Sequence, residues 1–270
     1  MQNIKMIVTD LDKTLLRKDK TISDYTKFIF TQCHEHGFLI VFATARPERA
    51  TRQWQTSGSS CCYVIANNGA TITCGGNVIQ NILIPETIKH SVIARFAAEK
   101  NITGICAETG EFLYSDDNSY STWGAAYPLD TGWNPVFNDF RSPITENVCK
   151  FAVECADPEI IDTILQSYPC LRVFPNNGEH WHQITHESAS KFNAILYLSK
   201  ITDIPPHDII AFGDDFNDIE MLEKCGVGVA VDNAVADAKS AADFICDTNE
   251  NDGVAQFIEK NILSVQERKE

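Results

Sequence analysis

Residues 4–16, Ile-Lys-Met-Ile-Val-Thr-Asp-Leu-Asp-Lys-Thr-Leu-Leu, read as a short apolar strand running into an acidic turn. The apolar run 4–9 ends on Asp10, and Asp12 follows at i+2. A helix comes next. Ser23 is a plausible N-cap, Tyr25, Phe28, Ile29 and Cys33 follow the 3.6-residue period, and Gly37 is a stop signal. Residues 38–43 are continuously apolar, the pattern of a strand buried on both faces of a parallel sheet. Pro47 suits the start of another helix. Residues 63–66 form a third strand, and 71–73 with 78–79 around Gly75-Gly76 read as a hairpin.

The rhythm changes after Pro85. One helix over 86–100 leads into short strands and an irregular aromatic stretch, 114–140. A strand over 148–155 precedes a helix opened by Asp157 or Pro158, with Ile160, Ile161, Ile164 and Leu165 on one face. Strands near 171–174 and 181–184 follow, so this stretch reads as an α+β insertion with its own small sheet. From Ser188 the α/β alternation returns, with a helix over 188–200, a strand over 208–212 and a helix over 217–225. The expected architecture is α/β. A parallel-sheet core made of residues 1–84 and 188–270 is interrupted by an α+β domain over 85–187.

Composition narrows the partners. The 270 residues are 44% hydrophobic and 22% charged, enough for a packed core, and the net charge is −15. Such a field disfavours nucleic acid and anionic membranes, but it is compatible with a small phosphate ester where local cations or a metal invert it. The opening residues lack a signal-peptide core, and the apolar run 38–43 is far too short to span a bilayer. The ten cysteines are scattered apart from Cys61-Cys62, with no CxxC pair. They read as reduced thiols of a cytoplasmic protein, mostly small core residues. Oligomeric state is expected to be monomer or weak homo-oligomer.

In open α/β sheets, ligands bind beyond the carboxyl ends of the strands. Polar clusters fall at three such ends: Asp10 to Thr14, Thr44-Ala45-Arg46, and Gly213 to Asp218. Singly, each has a plain structural explanation. A DxD pair is often a turn, Thr-x-Arg is common, and acidic residues suit the first turn of a helix. Together they describe one chemistry. One carboxylate can attack phosphorus, the other can move a proton, and a hard cation such as Mg2+ can offset the repulsion between carboxylate and phosphate. Asp214 would add a second metal carboxylate.

The chain resembles the haloacid dehalogenase superfamily phosphatases, specifically the Cof-like group with a type IIB cap. Residues 10–16 (DLDKTLL), 42–46 (FATAR), 188–191 (SASK) and 213–222 (GDDFNDIEML) match that family's four motifs. Residues 67–70 (NNGA), 231–234 (VDNA) and 252–255 (DGVA) also match the group's usual sequence. The resemblance implies a Rossmann-like core with residues 85–187 as a cap over the site. It makes Asp10 the nucleophile and a Mg2+ ligand, and Asp12 the general acid/base with its main-chain carbonyl on the metal. Thr44 and Lys191 would contact the phosphoryl group, and Lys191 also the nucleophile. Asp214 would bind Mg2+, with Asp218 and Asp215 orienting its shell. Asn217, Ala45, Arg46 and Asn68 complete the implied phosphate or leaving-group contacts.

The family commonly has Gly at the positions of Lys13, Ala45 and Phe192, so these side chains are expected to tighten or reshape the pocket. The cap residues Glu111, Trp123, His180, Trp181 and His182 are candidate specificity contacts, and each also suits ordinary packing or surface. Trp123, Tyr127 and Trp133 can stack on a sugar or simply fill a small core. The His34/His36 and His180/His182 pairs have spacings that a metal site could use. The implied activity is Mg2+-dependent hydrolysis of small phosphate monoesters, sugar phosphates first. The alternatives are a phosphomutase of the phosphomannomutase-like type and a sugar-phosphate-binding regulator.

Overall fold

The computed structural model describes residues 3–55, 63–116, 132–133, 135–175 and 180–264. Strands β1 (Met6–Thr9), β2 (Leu39–Ala43), β3 (Tyr63–Ala66), β4 (Thr71–Cys74) and β5 (Asn77–Asn81) come first. They are followed by β6 (Ile102–Glu108), β7 (Leu113–Ser115), β8 (Pro135–Phe137), β9 (Lys150–Cys155), β10 (Leu171–Pro175) and β11 (Trp181–His186). β12 (Ile209–Gly213), β13 (Val227–Val231) and β14 (Phe244–Cys246) close the series. These make an eight-stranded sheet in the order β14-β13-β12-β1-β2-β3-β4-β5 and a six-stranded sheet in the order β10-β11-β9-β6-β7-β8. No helix among the described residues is long and apolar enough to cross a membrane.

The larger sheet is parallel from β14 to β3 and antiparallel through the β4–β5 hairpin. Its central strands are apolar throughout because both faces are covered. Successive residues point to opposite faces of a strand. Ile7, Ile40, Phe42, Ile210 and Phe212 therefore pack with Ile29 and Phe30 of helix Asp24–Glu35 and with Val254 and Ile258 of helix Gly253–Ile258. Met6, Val8, Val41, Ile209 and Ala211 pack on the other side with Ile195 and Leu198 of helix Lys191–Thr202 and Met221 of helix Ile219–Lys224. Each fully buried aliphatic or aromatic side chain of this kind contributes roughly 1.5–3 kcal/mol.

Register makes the site. Thr9 lies opposite both Phe42 of β2 and Phe212 of β12, with all three strands parallel. Their carboxyl ends are therefore adjacent, at the strand spacing of about 4.8 Å. Asp10, Thr44 and Asp214, remote in sequence, leave the sheet side by side.

The smaller sheet is antiparallel apart from the β7–β8 pair. Helices Glu86–Ala98 and Pro158–Leu165 cover one of its faces through Val92, Phe96, Ile161 and Ile164. Its opposite face carries Cys106, Leu113 and Ala152, which pack with Trp133 and with Ala50 next to the larger sheet.

Three helix boundaries differ from the periodicity. The helix expected from Ser188 begins at Lys191, because the Ser190 hydroxyl accepts the Asn193 N–H and caps it there. The helix expected over 217–225 is a 3-10 turn, Phe216–Asp218, running into Ile219–Lys224, because Asp215 and Asp218 form a reciprocal capping box around that turn. The helix expected to reach residue 100 stops at Ala98, with Glu99 in an extended conformation.

Candidate active site

Asp10 follows β1 directly, and its N–H donates to the Phe212 carbonyl at 2.9 Å. Lys191 opens its helix, and its buried Nζ donates to Asp10 Oδ1 at 2.7 Å and to Asp218 Oδ1 at 2.6 Å. The other Asp218 oxygen accepts the main-chain N–H groups of Asp214 (2.9 Å) and Asp215 (3.1 Å). Both oxygens of Asp218 are thus spent on holding Lys191 and the turn that carries Asp214. Thr14 Oγ1 donates to Asp214 Oδ1 at 2.6 Å. One carboxylate oxygen each from Asp10, Asp214 and Asp218 lies within 4.8 Å of the others, and all three residues are buried.

Two glycines set these approaches. Gly69 has φ +90°, and a Cβ there would lie 2.1 Å from the Ser190 carbonyl oxygen. The Asn67-Asn68-Gly69 turn therefore presses directly on the start of the Lys191 helix. A Cβ on Gly213 would lie 2.5 Å from Asp218 Cβ, so the aspartate that grips Lys191 fits only above a bare backbone.

Electrostatically the cluster is anion-rich. Burial, reinforced by Asp218 and only partly offset by Lys191, holds the Asp10 carboxyl above the usual carboxylate range. Burial and the nearby Asp10 raise Asp214 as well. Burial opposes the charge on Lys191, but Asp10 and Asp218 outweigh it and keep the ammonium protonated. Three clustered carboxylates and one ammonium leave an excess of negative charge. A divalent cation with oxygen preference fits it: Asp10 and Asp214 can act as ligands, and Asp218 fixes them from behind.

Asp12 lies elsewhere electrically. Its carboxylate takes Arg46 Nε at 2.5 Å and Nη2 at 2.7 Å, plus Lys20 Nζ at 2.7 Å. Burial opposes ionisation here too, but the Arg46 bonds and charge, aided by Lys20, pull the carboxyl down to about 2. The guanidinium of Arg46 stands 5.0 Å from the centroid of the Trp54 ring and 5.7 Å from that of Trp133. Arg46, expected at the phosphate or leaving group, is paired with Asp12 in this structure. Asp215, expected to orient a metal shell, turns its carboxylate to the Phe216 N–H as a helix cap.

Thr44 is fixed at both ends of its peptide. Its N–H donates to Ile65 O at 2.7 Å and its carbonyl accepts Asn68 N–H at 3.0 Å. Its hydroxyl oxygen accepts the Arg46 N–H at 3.1 Å. A chain of amides leads from here toward the smaller sheet. Asn217 Nδ2 donates to Asn68 Oδ1 at 2.8 Å, and Asn68 Nδ2 donates to Gln183 Oε1 at 2.9 Å.

The candidate cap contacts divide. Trp181 and Gln183 share one face of β11 and are half-buried, with Trp181 against the Trp133 cluster. His182 points the opposite way, its Nε2 against Cys155 O at 3.0 Å, and His180 is exposed. These two histidines form no metal cluster among the described residues. Glu111 is exposed and Trp133 is buried, while Trp123 and Tyr127 lie outside the described residues.

Of the three positions where the family carries Gly, only Lys13 has positive φ (65°). Phe192 sits inside the helix and packs in the core. Lys13→Gly is expected to stabilise the chain by about 1 kcal/mol in denaturant titration, by relieving a left-handed non-glycine residue. An unchanged midpoint would mean the turn is not strained.

Sequence reasoning missed Thr14, Gln183 and the buried ionic residues Arg49, Glu108 and Lys150. Two of them had a local signal. Gln183 alternates with Trp181 along a strand, and Lys150 is a lone charge in the apolar run 148–153.

A family described as haloacid dehalogenase-like hydrolase matches residues 7–258, and the chain belongs to it. Among its relatives is the Bacillus subtilis 5-amino-6-(5-phospho-D-ribitylamino)uracil phosphatase YitU, 29% identical over 94% of this chain and 96% of the relative. The Escherichia coli pyridoxal phosphate phosphatase YbhA is 25% identical over 96% and 99% of the two chains. The subclass IIB sugar phosphatase BT4131 shares the fold, with a TM-score of 0.80 or better (0.83) at 22% identity over 95% of this chain and 98% of that one.

Proposed function

We propose that this phosphatase hydrolyses phosphate monoesters of small metabolites with Mg2+, by way of an aspartyl-phosphate on Asp10. The observation that carries it is the Lys191 ammonium bridging Asp10 and Asp218 next to Asp214, a buried cluster one hard cation short of balance. A Mg2+ ion on Asp10, Asp214 and the Asp12 carbonyl would supply the positive charge that lets a carboxylate approach a phosphoryl group.

The chain's own groups supply the rest. The free oxygen of Asp10 attacks phosphorus as the bond to the ester oxygen breaks. Thr44, Ala45 and Lys191 hold the phosphoryl oxygens, and Lys191 offsets the charge that builds on them. The leaving oxygen takes a proton from Asp12. Water then attacks the aspartyl-phosphate, gives its proton back to Asp12, and inorganic phosphate departs. With Arg46 in place Asp12 is ionised, which suits the second step. The first step calls for the protonated carboxyl, so Arg46 must loosen as substrate binds.

Substrates are sugar phosphates and related phosphorylated polyols; YitU is named for a phosphoribitylamino compound and YbhA for pyridoxal phosphate, both small phosphorylated metabolites. The Asn217–Asn68–Gln183 amide chain supports a neutral, hydroxyl-rich leaving group, since amides both donate and accept. Residues 85–187 act as a cap that excludes water and selects that group. A phosphate-release screen over sugar phosphates, nucleotides and cofactor phosphates, with Asp10→Asn as control, tests this. No turnover above the control across the panel would overturn it.

Chelation is expected to abolish turnover, and added Mg2+ to restore it. At about 100 times its Kd, Mg2+ should also stabilise the fold by about 2.7 kcal/mol, read as a rise in Tm. A Tm indifferent to Mg2+ would count against a site on these carboxylates.

A further inference from the structure

Lys150 begins β9 on the smaller sheet, yet its Nζ donates at 2.6 Å to the main-chain carbonyl of Ala45, between Thr44 and Arg46. The side chain is 5% exposed. An ammonium is expensive to bury, and burial pushes this one below the usual lysine range, with the charge of Glu108 only partly compensating.

Its neighbour explains the geometry. Glu108, the last residue of β6, lies directly opposite Lys150 in the ladder. Cross-strand partners project to the same face of a sheet. Here that face meets the segment after β2. Glu108 receives Arg49 through two guanidinium nitrogens, at 2.6 and 2.8 Å, and Arg49 also donates to the carbonyls of Gly110 and Trp133. The pair thus meets the larger sheet's loop at two points. The carboxylate grips the cation at position 49, and the ammonium grips the carbonyl at position 45.

The carbonyl at 45 lies in the loop that the proposed mechanism depends on. Lys150 holds the oxygen side of the Ala45–Arg46 peptide, and the Thr44 hydroxyl oxygen takes its N–H side. That bond occupies an acceptor lone pair of the hydroxyl and leaves its proton to donate. The preceding peptide is held by Asn68 N–H on the Thr44 carbonyl. In a planar trans peptide the N–H points opposite to the C=O, so the Ala45 N–H is aimed away from Asn68. Lys150 and Asn68 together fix both peptides of the Thr44-Ala45-Arg46 turn, and Lys150 does so from the other sheet.

We infer that Lys150 is a positioning residue of the phosphate-binding turn, so that the turn reaches its working geometry only with the smaller sheet docked. This rests on the proposed reading of the site. It goes beyond that reading in making a residue of the cap set how the core grips phosphate.

The test compares Lys150→Met and Lys150→Arg with the native chain, using p-nitrophenyl phosphate as substrate and orthovanadate as inhibitor, with Mg2+ present. Misplacing a binding group by about an ångström can lower the rate by as much as about 100-fold. Lys150→Met is expected to lower kcat/KM by about 10- to 100-fold and to weaken orthovanadate inhibition comparably, both read at a temperature where the variant is fully folded. Lys150→Arg, which keeps a cationic donor, should recover most of both. Native kinetics in Lys150→Met overturns the inference, as does a Lys150→Arg chain as impaired as the Met variant. If Lys150→Met does not fold, Lys150→Gln is assayed against the same criteria. A native chain that releases no phosphate from any ester overturns the phosphatase mechanism, and this inference with it. An active native chain with an unaffected variant overturns this inference alone.

Discussion

Asp10→Asn is expected to slow phosphate release by at least about 10⁴-fold while leaving the fold intact, since the loss of a covalent nucleophile removes the whole chemical route. Asparagine is nearly isosteric and keeps an oxygen to accept from Lys191, so packing next to β1 is preserved. Its amide cannot form the phosphorylated intermediate. The same change removes one of three clustered carboxylates that share a single ammonium. Without metal, the variant should therefore melt at the native temperature or above it. Rapid-quench trapping with labelled substrate should show phosphate bound covalently to the native chain and none to the variant. A variant with more than a hundredth of native activity would sink Asp10 as nucleophile.

Lys191→Met acts in the opposite direction on stability. Lys191 is 1% exposed, and its ammonium is the one cation within bonding distance of both Asp10 and Asp218 among the described contacts. Removing one partner of a buried ion pair strands the other's charge, which costs about 3–5 kcal/mol. Chemical denaturation should show a loss of that order, and kcat should fall by about 100- to 1,000-fold as transition-state charge goes uncompensated. Adding Asp218→Asn should restore part of the stability and none of the rate. If Lys191→Met alone leaves the denaturation midpoint in place, the ammonium does not carry the cluster. The two substitutions together separate chemistry from electrostatics: one removes turnover without loss of stability, and the other removes both.

Much of this was legible from local pattern. The apolar runs 4–9 and 38–43 suit strands of a sheet covered on both faces, and the covering helices carry the expected periodicity. Asp10, Asp12, Thr44 and Asp214 were readable because each follows such a strand, where ligands bind in this architecture. The partners were not readable. Asp12 and Arg46 are 34 residues apart, and nothing in either segment specifies that they bond to each other rather than to a phosphate. Trp133 reaches Arg46 from the far side of the insertion. Gln183 is separated by 115 residues from Asn68.

The sequence by itself determined the strand ends, the polar residues that follow them and the family, because backbone propensity, apolar periodicity and motif spacing are local properties. Only the tertiary structure decided which charge pairs with which. It placed Lys191 between Asp10 and Asp218, turned Arg46 onto Asp12, and sent Lys150 across to the Ala45 carbonyl. Those choices depend on burial and on distances of a few ångströms between segments remote in the chain. At that range, in a poorly screened interior, Coulomb energy is largest and periodicity carries no information about it.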